Sequence, residues 1–470
     1  MEKNTSKQEL SRRDFLRLAR AGASGALLAA TGLPALAQDS PTAGEASIVM
    51  MYHSNQISDG EIEQFNNDNE GITLTRIDTD ITRFFAMLAA GTAPHLLRTQ
   101  APDIPQYFAR DVMLNLQPYF EASGALDFDD LAAPNDYYKV VSPTEIGQGD
   151  IYGMAKDWAP DGFMWLHTGL LEAAGIAVPD PATPLSEEEV AAMALAVTQK
   201  EGDRTLVTGF NTHTGFIDRF WMQMALMDGG SLFSDDFSRA NVVGNDAVVD
   251  AISWFHDMMA EGSMNSPLNP SVSWFGPDYA NGQLAMVYTG YWFSGQLRGM
   301  ATNPEEPVIG ESMEAGHYQM HPMFTWKGVR KNLCVTAAGA IVTNPSFREA
   351  GADDNDAAWA AFEWFMAGAP AHGRAASGWG LPALKSLNHL IPDDTAFDQQ
   401  TLAVVNAEFE HSTDVLGFNP NLAGGEPMVP GATYMNNLEA ALTGELAFDD
   451  LLQLIEDETN FAIEEGMFNI

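Results

Sequence analysis

The sequence predicts an α/β protein in which parallel sheets are flanked by helices, and three observations predict it. Short apolar runs of strand length alternate with helical periodicities along the chain. The 470 residues, 46% of them hydrophobic, suffice for more than one core. No tandem repeat and no low-complexity linker divides the chain into tethered beads.

Residues 1–37 read as an address and are set aside. Ser11-Arg12-Arg13-Asp14-Phe15-Leu16-Arg17 matches a twin-arginine export signal, an Ala/Gly/Leu stretch runs from Leu18 to Leu33, and Ala35-Leu36-Ala37 offers a cleavage site. The expected partner of this segment is the twin-arginine export machinery, and the expected location is the periplasm, with cleavage near Ala37. Elsewhere no stretch approaches the roughly 20 apolar residues of a membrane span. The single cysteine, Cys334, excludes an internal disulfide and lies far from any lipid-anchor position.

Residues 38–470 carry 17 Lys/Arg against 61 Asp/Glu, a formal charge of −44. A field of that sign repels phosphates and anionic headgroups, which disfavours nucleic acid and membrane surfaces as partners. It fits a solvated surface suited to salt or solubility better than an acidic site.

In order, Ile48–Tyr52 reads as a buried strand, followed by a loop from His53 to Gly60 and a helix from Glu61 to Asn69. Ile72–Ile77 is a strand, Asp80–Ala90 a helix stopped by Gly91, and Pro94 opens a strand at His95–Arg98. Ligands of such sheets sit beyond the carboxyl ends of the strands. Tyr52–Asn55 and Arg98–Asp103 are therefore expected on one crevice, with His53, Asn55, Gln100 and Asp103 as binding candidates. Further on, Leu166–Gly175 reads as a helix, and Ser186 with Glu189 as a capping box ahead of Val190, Met193, Ala194 and Val197 at helical spacing. Residues 216–228 and Ala247–Glu261 are helices, the second closed by Gly262. Leu284–Tyr288, Tyr318–Phe324 and Leu333–Val342 are strands, and Ala357–Ile470 is mainly helical.

Several segments taken in order resemble the bacterial extracellular solute-binding proteins of the maltose-binding type. Residues 147–176, GQGDIYGMAKDWAPDGFMWLHTGLLEAAGI, resemble the family's passage between two lobes. Tyr107–Tyr119, the turn Gly229-Gly230-Ser231-Leu232-Phe233, Phe275–Trp292 and Gly378-Trp379-Gly380-Leu381-Pro382 resemble further family segments in collinear order. One departure lies at Pro94-His95, where the family commonly has Pro-Asp. The resemblance implies a bilobal periplasmic-binding-protein fold with several chain crossovers. We assign one lobe to 46–156 and 287–332 and the other to 157–286 and 333–470. It also implies hinge closure on a solute, delivery to the permease subunits of an ABC importer, a monomer, no cofactor and no enzymatic activity.

A sugar ligand is expected from aromatics set beside Gly, Pro, Asp or Asn instead of inside apolar runs. An indole packs on the C–H face of a sugar ring while fixed polar groups take the hydroxyls. The candidates are Trp158, Trp274, Trp292, Trp326 and Trp379, with Asp157 placed beside Trp158 at the cleft by the resemblance and Gly380 beside Trp379. Trp221, Trp254, Trp359 and Trp364 carry helical apolar neighbours and favour core packing, although Trp221 could also reach the cleft. His317 and His321, bracketed by Gly316 and Pro322, suit a strand or loop better than a metal site, and Asp353-Asp354-Asn355-Asp356 suits a helix cap. Two other functions stay open at this point. One is a receptor of the same fold for a cationic solute such as a polyamine, and the other is an exported glycosidase, which needs two carboxylates at a fixed separation.

Overall fold

A computed structural model of the chain describes residues 46–202, 204–271, 274–332, 337–349, 354–412, 419, 421, 422 and 429–467. The expected export signal, Cys334 and Asp353 lie outside them. In chain order the strands are β1 (Ala46–Met51), β2 (Ile72–Ile77), β3 (Leu96–Thr99), the hairpin β4 (Lys139–Ser142) and β5 (Glu145–Ile151), and β6 (Gly153–Ala155). There follow β7 (Asp157–Trp158), β8 (Phe163–His167), β9 (Gln199–Glu201), β10 (Arg204–Thr212), β11 (Leu284–Thr289), β12 (Tyr318–His321), β13 (Gly339–Val342) and β14 (Leu381–Pro382).

Two five-stranded sheets carry the fold. The first has the order β2-β1-β3-β13-β6 and the second β12-β8-β11-β10-β9. In the first, β1 runs parallel to β2 and β3, with Met51 opposite Leu97, while β13 lies antiparallel between β3 and β6. In the second, β10 and β11 are parallel, and β8 is antiparallel to both β11 and β12. The largely apolar runs of β11 and β13, buried at every position, are those of central strands covered on both faces.

Sheet membership corrects part of the expected division. The segment 287–332 was assigned with 46–156, yet the end of β11 and all of β12 pair in the second sheet. Conversely, β13 was assigned with the second lobe and sits inside the first sheet. Apolar composition reports that such a strand is buried, not which sheet it completes, and β13 finds its partners about 185 residues upstream in β6.

Local chemistry explains the helix ends. Ser58 and Ser186 each begin a helix with a reciprocal capping box, through Glu61 and Glu189 respectively. Asp80 accepts the Arg83 N–H at 2.9 Å, and Gly91 and Gly262 close their helices at φ 69° and 77°, where any other residue is strained. The expected helix at Leu166 starts at Thr168, because Leu166 and His167 are taken up by β8. The expected strand Tyr318–Phe324 ends at His321, so His321 lies on a strand.

Asp354 does stand at the N-cap of the helix Asn355–Ala367, but its side chain does not cap it. The carboxylate reaches His95 Nε2 at 2.5 Å and Arg348 at 2.6 Å, while His95 Nδ1 accepts the Val49 N–H at 3.0 Å. The histidine that departs from the family pattern thus ties β1 to the segment following β13, and β3 forms beside it undisturbed.

Candidate ligand-binding site

The strand directions place three carboxyl ends on one edge of the first sheet. β1 and β3 are parallel, and β6 shares their direction because β13 is antiparallel to both β3 and β6. That edge therefore carries Tyr52-His53, Thr99-Gln100 and Lys156-Asp157, as the rule for α/β sheets anticipates. Tyr52 is buried and donates to the Gly339 carbonyl at 2.9 Å. The Asp103 carboxylate accepts the Gln100 N–H at 2.8 Å and the Thr99 hydroxyl at 3.1 Å, and burial raises its pKa. His53 is half-buried, and burial and the Arg98 charge lower its pKa, whereas Asn55 is exposed on the following turn.

Asp157 forms an ion pair with Lys156, and both are buried. Burial lowers the Lys156 ammonium to about 8 against the attraction of Asp157, and Arg374 and Arg98 push it the same way. Trp158, next in the chain, lies on the ribbon made by β7 and β14 at the crossing between the sheets. Its indole N–H donates to the Pro382 carbonyl at 3.0 Å and its ring packs against Phe409. Gly380 opposes this pair: a Cβ there would stand 3.2 Å from both the Asp157 Cβ and the Trp158 carbonyl oxygen.

The second sheet offers a different edge, formed by the carboxyl ends of β10 and β11 and the entry to β8. Here three of the expected tryptophans come together. Trp274 stacks beside Trp292 with ring centres 6.3 Å apart, and Trp292 lies 6.5 Å from Trp379. Glycines make room under two of the rings and beside the third residue's backbone: a Cβ would fall 2.2 Å from the Trp274 ring at Gly276, 2.7 Å from the Trp292 ring at Gly290, and 2.7 Å from the Trp379 Cα at Gly295. All three side chains keep exposed surface, 36% of it in Trp274.

Polar groups adjoin this row. Asp161 Oδ1 would be 3.0 Å from a Cβ on Gly290, which places its carboxylate beside Trp292. Its loop is pinned by Asn332, which donates to the Gly162 carbonyl at 2.8 Å and accepts the Gly162 N–H at 2.9 Å. Arg219, in the first turn of the helix Ile217–Met227, sits with its guanidinium 4.0 Å above Phe216. Burial lowers the Arg219 pKa to about 10, and the charges of Asp218, Asp103 and Asp161 oppose that shift. Asp103 belongs to the first edge and Asp161 to the second, so charges from both edges act on Arg219.

Trp221 is withdrawn from the site. It is 0% exposed and packs edge-on against Tyr434, because the helix that carries it is buried nearly all round. Trp326 likewise is buried, 6.1 Å from Trp254. Arg98, Lys156, Asp161 and Arg219 were not singled out from the sequence. The available signal was a charged residue in apolar company, as Arg219 is within the helix IDRFWMQMALM and Asp161 is just before the run Phe163–Leu166.

No curated protein matches this chain significantly. Among solved structures, an ABC substrate-binding protein from Listeria monocytogenes in complex with cycloalternan is similar, with a TM-score of 0.69 at 19% identity, covering 89% of this chain and 99% of that one. A solute-binding protein from Thermotoga lettingae bound with α-D-tagatose gives 0.66 at 14% identity over 89% and 99%. The sugar-binding protein MalE from Xanthomonas citri gives 0.64 at 16% over 90% and 98%. These likenesses establish the bilobal periplasmic-binding fold that the two sheets and their crossings describe. Residues 62–392 match the family described as bacterial extracellular solute-binding protein, and with that match spanning most of the chain, the protein belongs to this family.

Proposed function

We propose that the protein is the receptor of an ABC importer and that it takes a sugar or oligosaccharide between the two sheet edges. The observation that carries this reading is the row Trp274, Trp292 and Trp379, with Asp161 and Arg219 beside it. Adjacent indole faces suit successive C–H faces of a saccharide, and among the described residues none of the three indole N–H groups donates within the chain. A cationic solute is served less well, because Asp157 is paired with Lys156 and Arg98 stands on the same edge.

In this reading one lobe is built on β1, β2, β3, β13 and β6 and the other on β8 to β12, with the β7–β14 ribbon at the hinge between them. Closure on ligand is the state a permease would recognise, and the receptor makes and breaks no covalent bonds. The export signal at 1–37 delivers it to the periplasm, where it works as a monomer. The test is the melting temperature of residues 38–470 against mono- and oligosaccharides, polyols and polyamines. A ligand at 100 times its dissociation constant stabilises by about 2.7 kcal/mol. A shift with saccharides supports the reading, and a shift with polyamines alone overturns it.

A further inference from the structure

The sugar reading leaves one cation at the first edge unexplained. Six basic side chains, Arg76, Lys139, Arg298, Lys327, Arg330 and Arg348, each reach a carboxylate at 2.5–2.8 Å. Arg98 does not. It sits half-buried near the carboxyl end of β3, and among the described residues its guanidinium makes one hydrogen bond, from Nε to the Gln56 Oε1 at 3.0 Å. That bond fixes the plane of the guanidinium and leaves its two terminal nitrogens for another acceptor.

The charged groups around Arg98 do not compensate it. Lys156, His53 and Arg219 are each repelled by its charge, the first two from the same edge and the third from the edge opposite. Asp103 is attracted by it but forms no ion pair with it among the described residues, and Asp157 is engaged by Lys156. In a chain of formal charge −41, the first edge thus carries a guanidinium with no carboxylate in ion-pair contact among the described residues. Closing such a crevice over a neutral solute would bury an unpaired guanidinium, which is costly. A planar carboxylate meets the two terminal nitrogens bidentately and removes that cost.

We infer that the saccharide bound here is acidic, and that Arg98 receives its carboxylate while the tryptophan row holds the ring faces. This rests on the sugar reading and narrows it to uronic-acid-containing saccharides. A strongly acidic surface is compatible with an anionic ligand, since surface charges are screened beyond about 8–10 Å at physiological salt whereas the contact with Arg98 is direct.

The test is calorimetric titration of residues 38–470 with galacturonate, digalacturonate, glucuronate, their methyl esters, and the neutral parents galactose, glucose and maltose. The expected result is that at least one acid binds and its ester, which keeps the ring and loses the charge, binds ten-fold or more weaker. Arg98→Gln should then lower affinity for the acid by roughly 10- to 100-fold, the loss of one hydrogen-bonded charge contact, and leave the ester unchanged. The comparison of acid with ester uses the unaltered chain, so it holds even if the variant folds poorly. Neutral sugars binding as well as acids, or Arg98→Gln weakening acid and ester equally, overturns the acidic ligand and leaves the sugar reading intact. Binding of none of these saccharides, acidic or neutral, counts against both.

Discussion

The carboxyl-end edge of the first sheet and the edge of the second sheet that carries the tryptophans are built of different materials. The first is a set of charged and hydroxylated side chains held in place by one another: Lys156 against Asp157, Asp103 against Thr99 and Gln100, Arg98 against Gln56. The second is an aromatic surface, Trp274, Trp292 and Trp379, each seated against a glycine. The difference teaches a division of labour. Polar groups fix orientation and charge selectivity only if their own geometry is fixed, which ion pairs and backbone hydrogen bonds accomplish. An aromatic platform needs flat, accessible area, which requires removing the side chain beneath it.

This comparison can be broken at its foundations first. Trp221→Ala, in the core beneath the second edge, should cost about 3–5 kcal/mol of stability by opening a cavity. Chemical denaturation would measure it, and a small effect would mean that the residue is not the core element described. At the first edge, Asp157→Asn should cost about 3 kcal/mol by leaving Lys156 buried without its partner. The sign of its pH dependence follows from the lowered Lys156 pKa. The unfolded chain binds the proton more tightly, so the stability penalty is fully present below about pH 8 and is relieved as pH rises toward 10.5. Removing the partner should extend that relief to lower pH, and melting temperatures from pH 7 to 10 would show it.

Smaller effects sharpen the contrast. Trp274→Ala, at the exposed end of the row, should weaken saccharide binding by about 1–2 kcal/mol while shifting the melting temperature little. Equal losses of affinity and stability would make it a packing residue like Trp221. Away from both edges, His321 on β12 is buried, and neither ring nitrogen has a hydrogen-bond partner among the described residues. Burial lowers its pKa to about 4 against the pull of Asp180. Its neutral form therefore supports the fold above the unfolded value of 6.5, and that support is lost as pH falls toward 4. Between pH 6 and 4.5 the native chain should lose up to about 1 kcal/mol per pH unit more than His321→Leu. Melting curves at several pH values decide it, and identical slopes would refute the burial argument.

Much of the fold was legible because it is written in local chemistry. The capping box of Ser186 and Glu189, the stops at Gly91 and Gly262, and the strands at Ile48, Ile72 and Leu284 depend on residues within a few positions of each other. Asp354 shows the limit. At a helix start an aspartate reads as a cap, and nothing nearby reveals that His95 and Arg348 compete for its carboxylate. The tryptophans show the same limit at the site. Trp221 and Trp274 could both be named as candidates, and the one on a helix buried nearly all round became core.

The sequence by itself determined the alternation of strand and helix, the family, and the residue types from which a binding crevice could be made, since these follow from periodicity, turn residues and ordered motifs. Only the tertiary structure decided that β12 and β13 exchange the sheets expected of them. It also decided that Trp274, Trp292 and Trp379 form one row, and that Arg98 is left with an amide for a partner while Lys156 on the same edge holds a carboxylate. The physical reason is separation along the chain. The deciding contacts join distant residues, 240 positions apart for Gly339 with Thr99 and 259 for His95 with Asp354, and the pattern of near neighbours carries no information about which distant group arrives first.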